Sequence, residues 1–389
     1  MNNANQFTET FGSRPDLTVQ APGRLEVLGN HTDYNEGFVL SVAVDRYTEI
    51  SFKALSAGTT ICQVSSPSMN DGIREFDLDN IATPALGKDW TNYIRGVIVE
   101  LQKLGKKIDA FQALITSNIP LSAGMSSSAA LEMALITGLD ELYNLGLTVQ
   151  EKARIGQGCE NNYIGANTGL MDQLTSLCGK KGQLVISEYR DLTISHTPLP
   201  PELALVVINS NVAHDLSQEY NERREQCERA AATLGVKALR DVDLETLQAN
   251  KSKLQNLDYR RARHVVEENA RVHQAQTLLA QNNWAAFGAL LYASHDSSRH
   301  NFENSCPELD CWVDDIARAS PLCLGARLSG GGFGGISIHL VYAEHAKEYS
   351  TYAVEAYAAK TGEKTEALVC QSANGACVTT SRWNESSGP

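Results

Sequence analysis

No CxxC pair, no apolar leader, no run long enough to cross a membrane and no GxxxxGK[ST] loop occur in this 389-residue chain, and basic residues are not in surplus. Each absence closes off a class of function. The nine cysteines are odd in number and scattered from Cys62 to Cys377, which argues against structural zinc and a disulfide framework and fits reduced thiols. The opening MNNANQFTETFGSRPDLTVQ has no hydrophobic core, so neither export nor a membrane partner is expected and the expected location is cytoplasmic. With 46 acidic against 33 basic side chains the formal net charge is -13, which disfavours nucleic acid as the main partner. A locally positive anion site remains compatible with that balance. Charge and helix content fit a monomer or a homodimer equally.

The length favours two domains, and the proline cluster in HTPLPP, residues 196–201, predicts the boundary, giving 1–198 and 199–389. Before it, a short helical arm leads into a strand from Leu17 with a turn expected at Pro22-Gly23. Alternating apolar positions then predict strands through Leu25 and Val27, from Phe38 to Val44, from Ile73 to Leu78 and from Phe111 to Ser117. Helices are expected after Trp90, through the run AALEMALITGLDELY, from Val149 to about Tyr163, and at Leu170-Met-Asp-Gln-Leu. Beyond the boundary the chain is mostly helical around strands at Leu203–Ile208 and Ile336–Val341, with LVCQSANGACVTT read as a hairpin turning at Asn374-Gly375. Arg260, Arg261 and Arg263, in a helix with Glu267 and Glu268, read as a solvated face. The tail from Trp383 is expected to be frayed.

Three stretches carry candidate chemistry. Gly124-Met125-Ser126-Ser127-Ser128 opens a helix, whose free N-H groups and dipole make an anion site; the same serines also fit a heavily capped helix start. Five glycines between residues 330 and 335, Gly331 and Gly332 among them, suit a flexible wall beside that site or a tight turn. They lack the preceding strand and ribose-binding acid of a dinucleotide fold. Glu160 and Asp172 are ordinary surface carboxylates or, with a serine hydroxyl, members of an oxygen-rich Mg2+ shell and an acceptor site. Arg24, His31, Asp33 and Tyr34 share one loop that either reads a polyhydroxylated substrate or is a capped turn.

Taken together, APGRLEVLGNHTDYNEG, GMSSSAALE, TGLMDQ, SNVAHDLSQEYNERREQCE, YRRARHVVEE, SCPELD and LSGGGFGG resemble the motifs of the galactokinases, within the superfamily of galactokinases, homoserine kinases, mevalonate kinases and phosphomevalonate kinases (GHMP kinases). The resemblance implies an α+β, two-domain GHMP kinase fold. Its N-terminal domain would be like domain 2 of ribosomal protein S5 and its C-terminal domain ferredoxin-like, with the active-site cleft between them. It implies ATP and Mg2+ as cofactors, a hexose as substrate, and phosphorylation of the C1 hydroxyl of D-galactose. By the same resemblance Arg24 and Asp172 are the catalytic pair, and His31, Asp33, Gly169, Asp172 and Tyr220 contact the sugar. Gly124 to Ser128 with Gly331 and Gly332 cradle phosphates, Ser127 or Ser128 with Glu160 bind the metal, and Trp90 and Tyr93 lie near the adenine.

One departure stands out. The family usually reads GRVNLIGEH, with asparagine where this chain has Glu26 and glutamate where it has Asn30. In an extended segment both positions face the same way, so a carboxylate and an amide have traded places at a sugar-facing position. The exchange leaves open galactose itself, another hexose, an N-acetylhexosamine or a hexuronic acid as substrate. A sensor without catalysis is the remoter reading.

Overall fold

The computed structural model describes residues 3–87, 89–120, 124–166, 168–212 and 217–381. Residues 213–216 of the stretch beginning at Ser210, and the tail from Trp383, lie outside them. In chain order the elements are α1 (Asn3–Phe11), β1 (Leu17–Leu28), β2 (Phe38–Ala54), β3 (Ile61–Ser65), β4 (Ile73–Asp77), α2 (Thr91–Lys103), β5 (Phe111–Ser117), α3 (Ser127–Tyr143), α4 (Val149–Gly158), α5 (Met171–Cys178), β6 (Gln183–Glu188) and β7 (Thr193–Pro198). There follow β8 (Leu203–Asn209), α6 (Ser217–Leu234), α7 (Leu244–Ala249), α8 (Asn256–Ala280), α9 (Trp284–Ser297), α10 (Pro307–Asp310), β9 (Cys323–Ser329), β10 (Ile336–Tyr342), α11 (Ala346–Thr361), β11 (Ala367–Cys370) and β12 (Cys377–Ser381).

These strands form an eight-stranded sheet, ordered β12-β1-β2-β5-β3-β4 with β6 and β7 running off β2, and a four-stranded sheet ordered β11-β8-β10-β9. The long strand β2 makes this possible: Phe38–Ser41 pairs with β6 and Thr48–Ala54 with β5 on the same edge. One core, including Phe52, Phe111, Ile94, Leu101, Met133 and Leu139, lies between the larger sheet and α2 and α3. Each of its two fully buried phenylalanines contributes about 1.5–3 kcal/mol by leaving water. A second core joins Leu25, Val27, Leu40 and Val42 of the larger sheet to Leu205, Val207, Ile336 and Ile338 of the smaller one. It fixes the two sheets against each other and so fixes the cleft above them. Among the described residues no helix is long and apolar enough to cross a membrane.

Three expectations differ from the structure. Pro22-Gly23 is not a turn: β1 runs through it, and its pairing with β2 shifts register between Pro22 and Arg24. That bulge lets Arg24 N-H donate to Met125 O at 3.1 Å, bringing the strand to the serine-bearing helix start. Residues 367–381 are not a hairpin. β11 pairs with β8 in the smaller sheet and β12 with β1 in the larger, so a strand from beyond residue 198 completes the sheet built before it. The turn at Asn374-Gly375 packs instead on the end of α5, where a Cβ on Gly375 would come within 2.1 Å of Leu177 O. Finally, the face of α8 is not solvated. Arg261 is 1 % exposed and bound to Gln226 and Glu303, and Glu268 is fully buried, while Arg263 stays outside.

Candidate functional site

Two cavities lie side by side in the cleft. The larger, of about 470 Å3, is lined by Arg24, Glu26, Asn30, His31, Asp33, Gly169, Asp172, Tyr220 and Gly331 together with apolar groups such as Val39 and Met171. The smaller, of about 250 Å3, is lined by Gly124 to Ser128, by the glycines around 330–335 and again by Arg24. Arg24 and Gly331 line both, so the cavities meet there.

At that seam Arg24 Nε and Nη2 donate to the two oxygens of Asp172 at 2.6 and 2.8 Å, and Nη1 donates to Gly124 O at 2.7 Å. Ser126 Oγ donates to Asp172 Oδ2 as well. This contact counts against the capped-start reading of the serine stretch. Ser126 sits at the N-cap of α3 in the left-handed region, with φ +55, and its side chain makes no capping bond. The hydroxyl is turned to Asp172, and the uncapped helix start is left at the wall of the smaller cavity, where free amides and the dipole favour an anion.

The glycine stretch forms the opposite wall. A strand does precede it, contrary to the sequence reading: β9 and β10 are an antiparallel pair and the glycines are their connection. Three hydrogen bonds tie the wall to its neighbours. Gly330 O accepts from Asn30 Nδ2 (2.8 Å), Gly331 O accepts from His31 Nε2 (3.0 Å), and Phe333 N-H donates to Asn304 O (2.6 Å).

Neither Glu160 nor Asp172 is an ordinary surface carboxylate. Glu160 is 6 % exposed, and α4 is built to carry it. A capping box between Thr148 and Glu151 sets the start of that helix, and a π-type segment, Cys159–Ile164, ends it with Glu160 turned inward. Ser128 Oγ donates to Glu160 Oε1 at 2.9 Å, and Ser127 lines the smaller cavity. Burial raises the Glu160 carboxyl above its ordinary range, against the pull of Thr168. A hydroxyl and a carboxylate are hard oxygen donors, and together they fit a Mg2+ ion whose remaining positions go to waters and phosphate oxygens. Among the described residues no group of three or more His, Cys, Asp or Glu could hold a metal ion.

In the larger cavity His31 is neutral, its imidazole pushed down to about 4 by burial. Because Gly331 O only accepts, Nε2 carries the hydrogen, and Nδ1 accepts from Tyr34 OH at 3.0 Å. The His31 ring lies 5.1 Å from that of Tyr220. Asp33 is raised to about 7, chiefly by burial, with Glu26 and Asp172 adding like charge. It abuts Gly169 so closely that a Cβ there would lie 1.6 Å from Asp33 Oδ2, and only glycine leaves the carboxylate its room.

The exchanged pair is in contact. Asn30 Nδ2 donates to Glu26 Oε1 at 2.9 Å, and its Oδ1 accepts from Asn304 Nδ2 at 2.9 Å. With Gly330 O taking the other Nδ2 hydrogen, the Asn30 amide is occupied by protein partners. Arg327, fully buried, donates to Glu26 Oε1 at 2.8 Å. Burial raises the Glu26 carboxyl, and Arg327 and Asn30 pull it back. Beneath the loop Glu268 Oε2 accepts the backbone N-H groups of Gly29 (2.8 Å) and Asn30 (3.0 Å).

Several of these residues carry no individual signal in the sequence. Arg327 and Asn304 are far along the chain from the loop they hold, and Glu268 reads as a surface residue. Thr168 and Gln173, in contrast, stand within the TGLMDQ stretch, and their position beside Asp172 was the available clue. Trp90 and Tyr93 line neither cavity: Trp90 Nε1 donates to Asp71 (2.9 Å) at the start of α2, and both pack on the core of the larger sheet.

Comparison with known proteins covers nearly the whole chain. Family models match for the galactokinase galactose-binding signature at residues 5–54, for the GHMP kinases N terminal domain at 92–180 and for the GHMP kinases C terminal domain at 275–359. The galactokinase of Pasteurella multocida (strain Pm70) is 41% identical over 382 residues, 96% of this chain and 97% of that protein. The galactokinase of Glaesserella parasuis serovar 5 (strain SH0165) is 41% identical over 378 residues, with coverage of 96% and 97%. Among solved structures, Lactococcus lactis galactokinase complexed with galactose superposes with a TM-score of 0.91 at 31% identity, covering 96% of this chain and 98% of that one. Methanococcus jannaschii mevalonate kinase, at 20% identity, covers 94% of this chain and 100% of that one; its TM-score of 0.65 shows the shared fold.

Proposed function

The chain belongs to the galactokinase family of the GHMP kinases, and on that footing we propose that it transfers the γ-phosphoryl group of ATP to the C1 hydroxyl of D-galactose. The products are galactose 1-phosphate and ADP. The observation that carries this reading is the meeting of two cavities at one carboxylate, Asp172, which is bonded both to Arg24 and to Ser126 of the phosphate-side helix start.

The sugar occupies the larger cavity, with its C1 hydroxyl toward Asp172. Asp172 takes the hydroxyl proton as the new oxygen–phosphorus bond forms and the bond to the leaving ADP breaks. Arg24 holds that carboxylate and, lining the phosphate side too, offers positive charge where it develops on the transferring group. The start of α3 and the glycine wall hold the phosphates, and the adenine extends toward Trp90 and Tyr93. Ser128 and Glu160 hold Mg2+, which supplies charge neutralisation at the phosphates when bound. Most of the rate enhancement on this reading is alignment and electrostatic stabilisation rather than covalent chemistry.

A reducing cytoplasm suits the nine cysteines, all free thiols. A division of the chain near residue 198 is supported by the change of sheet between β7 and β8.

The test is ADP release by the whole protein with galactose, glucose, N-acetylgalactosamine and galacturonate in turn, repeated with Asp172→Asn. Galactose is expected to give the highest kcat/KM, and the variant to lose about 10²–10⁴-fold in turnover while still binding ATP. No galactose-dependent ADP release, or an Asp172→Asn enzyme as fast as the native one, overturns the proposal.

A further inference from the structure

Behind Ser128 and Glu160 lies a second set of polar side chains that the transfer reaction does not use. Gln173 follows Asp172 on α5, and Glu132 stands one turn beyond Ser128 on α3; both are fully buried. Gln173 Nε2 donates to Glu160 Oε2 at 3.2 Å and to Glu132 Oε2 at 3.3 Å. The two hydrogens of one amide are thereby divided between two carboxyl groups. In this orientation both amide hydrogens meet carboxyl oxygens. Thr168 Oγ1 donates to the same Glu160 Oε2 at 2.5 Å.

The two oxygens of Glu160 are therefore unlike. Oε2 is occupied by Gln173 and Thr168, and Oε1 is turned to Ser128. Among the described residues Gln173 Oε1 has no hydrogen-bond partner, so the hydrogen bonds that hold Gln173 there are the two to the carboxyl groups it bridges. Burying a carboxyl and an amide this completely is unfavourable against an apolar pair of equal volume, so packing alone does not account for them.

We propose that Gln173, anchored by Glu132, is a positioning residue that holds Glu160 through Oε2 so that Oε1 alone is presented, beside Ser128, to a divalent cation. The inference rests on reading Ser128 and Glu160 as the cation ligands. It also ties the cation to the acceptor side, since Asp172 and Gln173 are consecutive residues of one helix and cannot shift independently.

The probe is Mn2+ binding to the full chain in the presence of ADP, read by the resonance of the free ion, with galactose binding measured separately by calorimetry without metal. Gln173→Met keeps an unbranched side chain of similar size and removes the donor. It is expected to weaken Mn2+ binding about 10–100-fold while galactose affinity stays within about twofold, about 0.4 kcal/mol. Glu132→Gln keeps volume and acceptor and is expected to stay near the native value; Glu132→Leu is expected to follow Gln173→Met. Native-like Mn2+ affinity in Gln173→Met overturns the proposal, as does an equal loss of Mn2+ and galactose binding, which would mark a general structural role. Should Gln173→Met fail to fold, Thr168→Val removes the other donor to Oε2; because Thr168 also lines the larger cavity, only its Mn2+ affinity is read, and native affinity there counts against the proposal. Glu160→Ala separates the two layers: if it leaves Mn2+ binding intact, the cation reading itself fails, whereas a loss there with none in Gln173→Met rejects only the role of Gln173.

Discussion

Exchanging Glu26 and Asn30 one at a time and then together is the sharpest perturbation the structure offers. Arg327 is fully buried, its Nη1 donates to Glu26 Oε1 at 2.8 Å, and its Nε and Nη2 have no partner among the described residues. Glu26→Asn withdraws the carboxylate and leaves a guanidinium uncompensated in the interior, a loss of about 3–5 kcal/mol. Asn30→Glu alone brings a second carboxylate to a position now 2.9 Å from the first. At an effective dielectric of about 20 two such charges repel by roughly 6 kcal/mol, part of which protonation of one relieves. The double variant again holds one carboxylate and one amide in contact beside Arg327, and is expected to recover most of both losses. Urea unfolding of the four proteins at one pH therefore gives a coupling energy of several kcal/mol. The same four proteins, assayed for kcat/KM on a sugar panel, are expected to keep galactose first in the native and doubly exchanged forms, because the composition of the pair is the same. Additive single effects, with coupling below about 0.5 kcal/mol, would refute the buried-network account; a new preferred sugar in the double variant would refute the claim that the exchange is conservative.

Two further outcomes follow from the larger cavity. Asp33 is raised to about 7 by burial, so the folded protein binds its proton more tightly than the unfolded chain does. Stability of the unliganded protein on this account falls as pH rises from the ordinary carboxylate range to about 7. Sugar hydroxyls donate to the ionised form, so KM for galactose is expected to rise as pH falls below about 7. A flat KM profile between pH 6 and 8, sampled on the scale over which such groups titrate, contradicts it. Gly169→Ala sets a methyl 1.6 Å from the present place of Asp33 Oδ2. Displacing that carboxylate is expected to raise KM for galactose by roughly tenfold or more, about the 1.4 kcal/mol or greater equivalent of one lost charged contact, with KM for ATP little changed. Equal KM values for galactose in the two proteins would show that Asp33 does not hold the sugar.

What the chain states locally and what only folding decides divide along the range of the forces involved. The helix start at Ser126, the strand from Phe111 to Ser117 and the glycine connection before Ile336 are written in capping residues and in the period of apolar positions, which act over a few residues. The motif resemblance added the roles of Arg24, Glu160 and Asp172 without their geometry. The use of Ser126 for Asp172 rather than for its own helix needed the bulge in β1 that carries Arg24 to Met125. The burial of Arg261 and Glu268 was hidden because a charged helix face looks the same whether water or partners satisfy it. The divergence of β11 and β12 was hidden because the turn preference of Asn-Gly is worth less than pairing with β8 and β1, strands more than 150 residues away in the chain.

The sequence by itself determined the elements and the family, because both depend on residue types at short spacing. The tertiary structure decided which donor holds which carboxylate oxygen. That choice rests on hydrogen bonds such as Asn30 to Glu26, Arg327 to Glu26 and Gln173 to Glu160. A buried polar group takes whatever partner the packed core brings within reach, and only the completed fold specifies it.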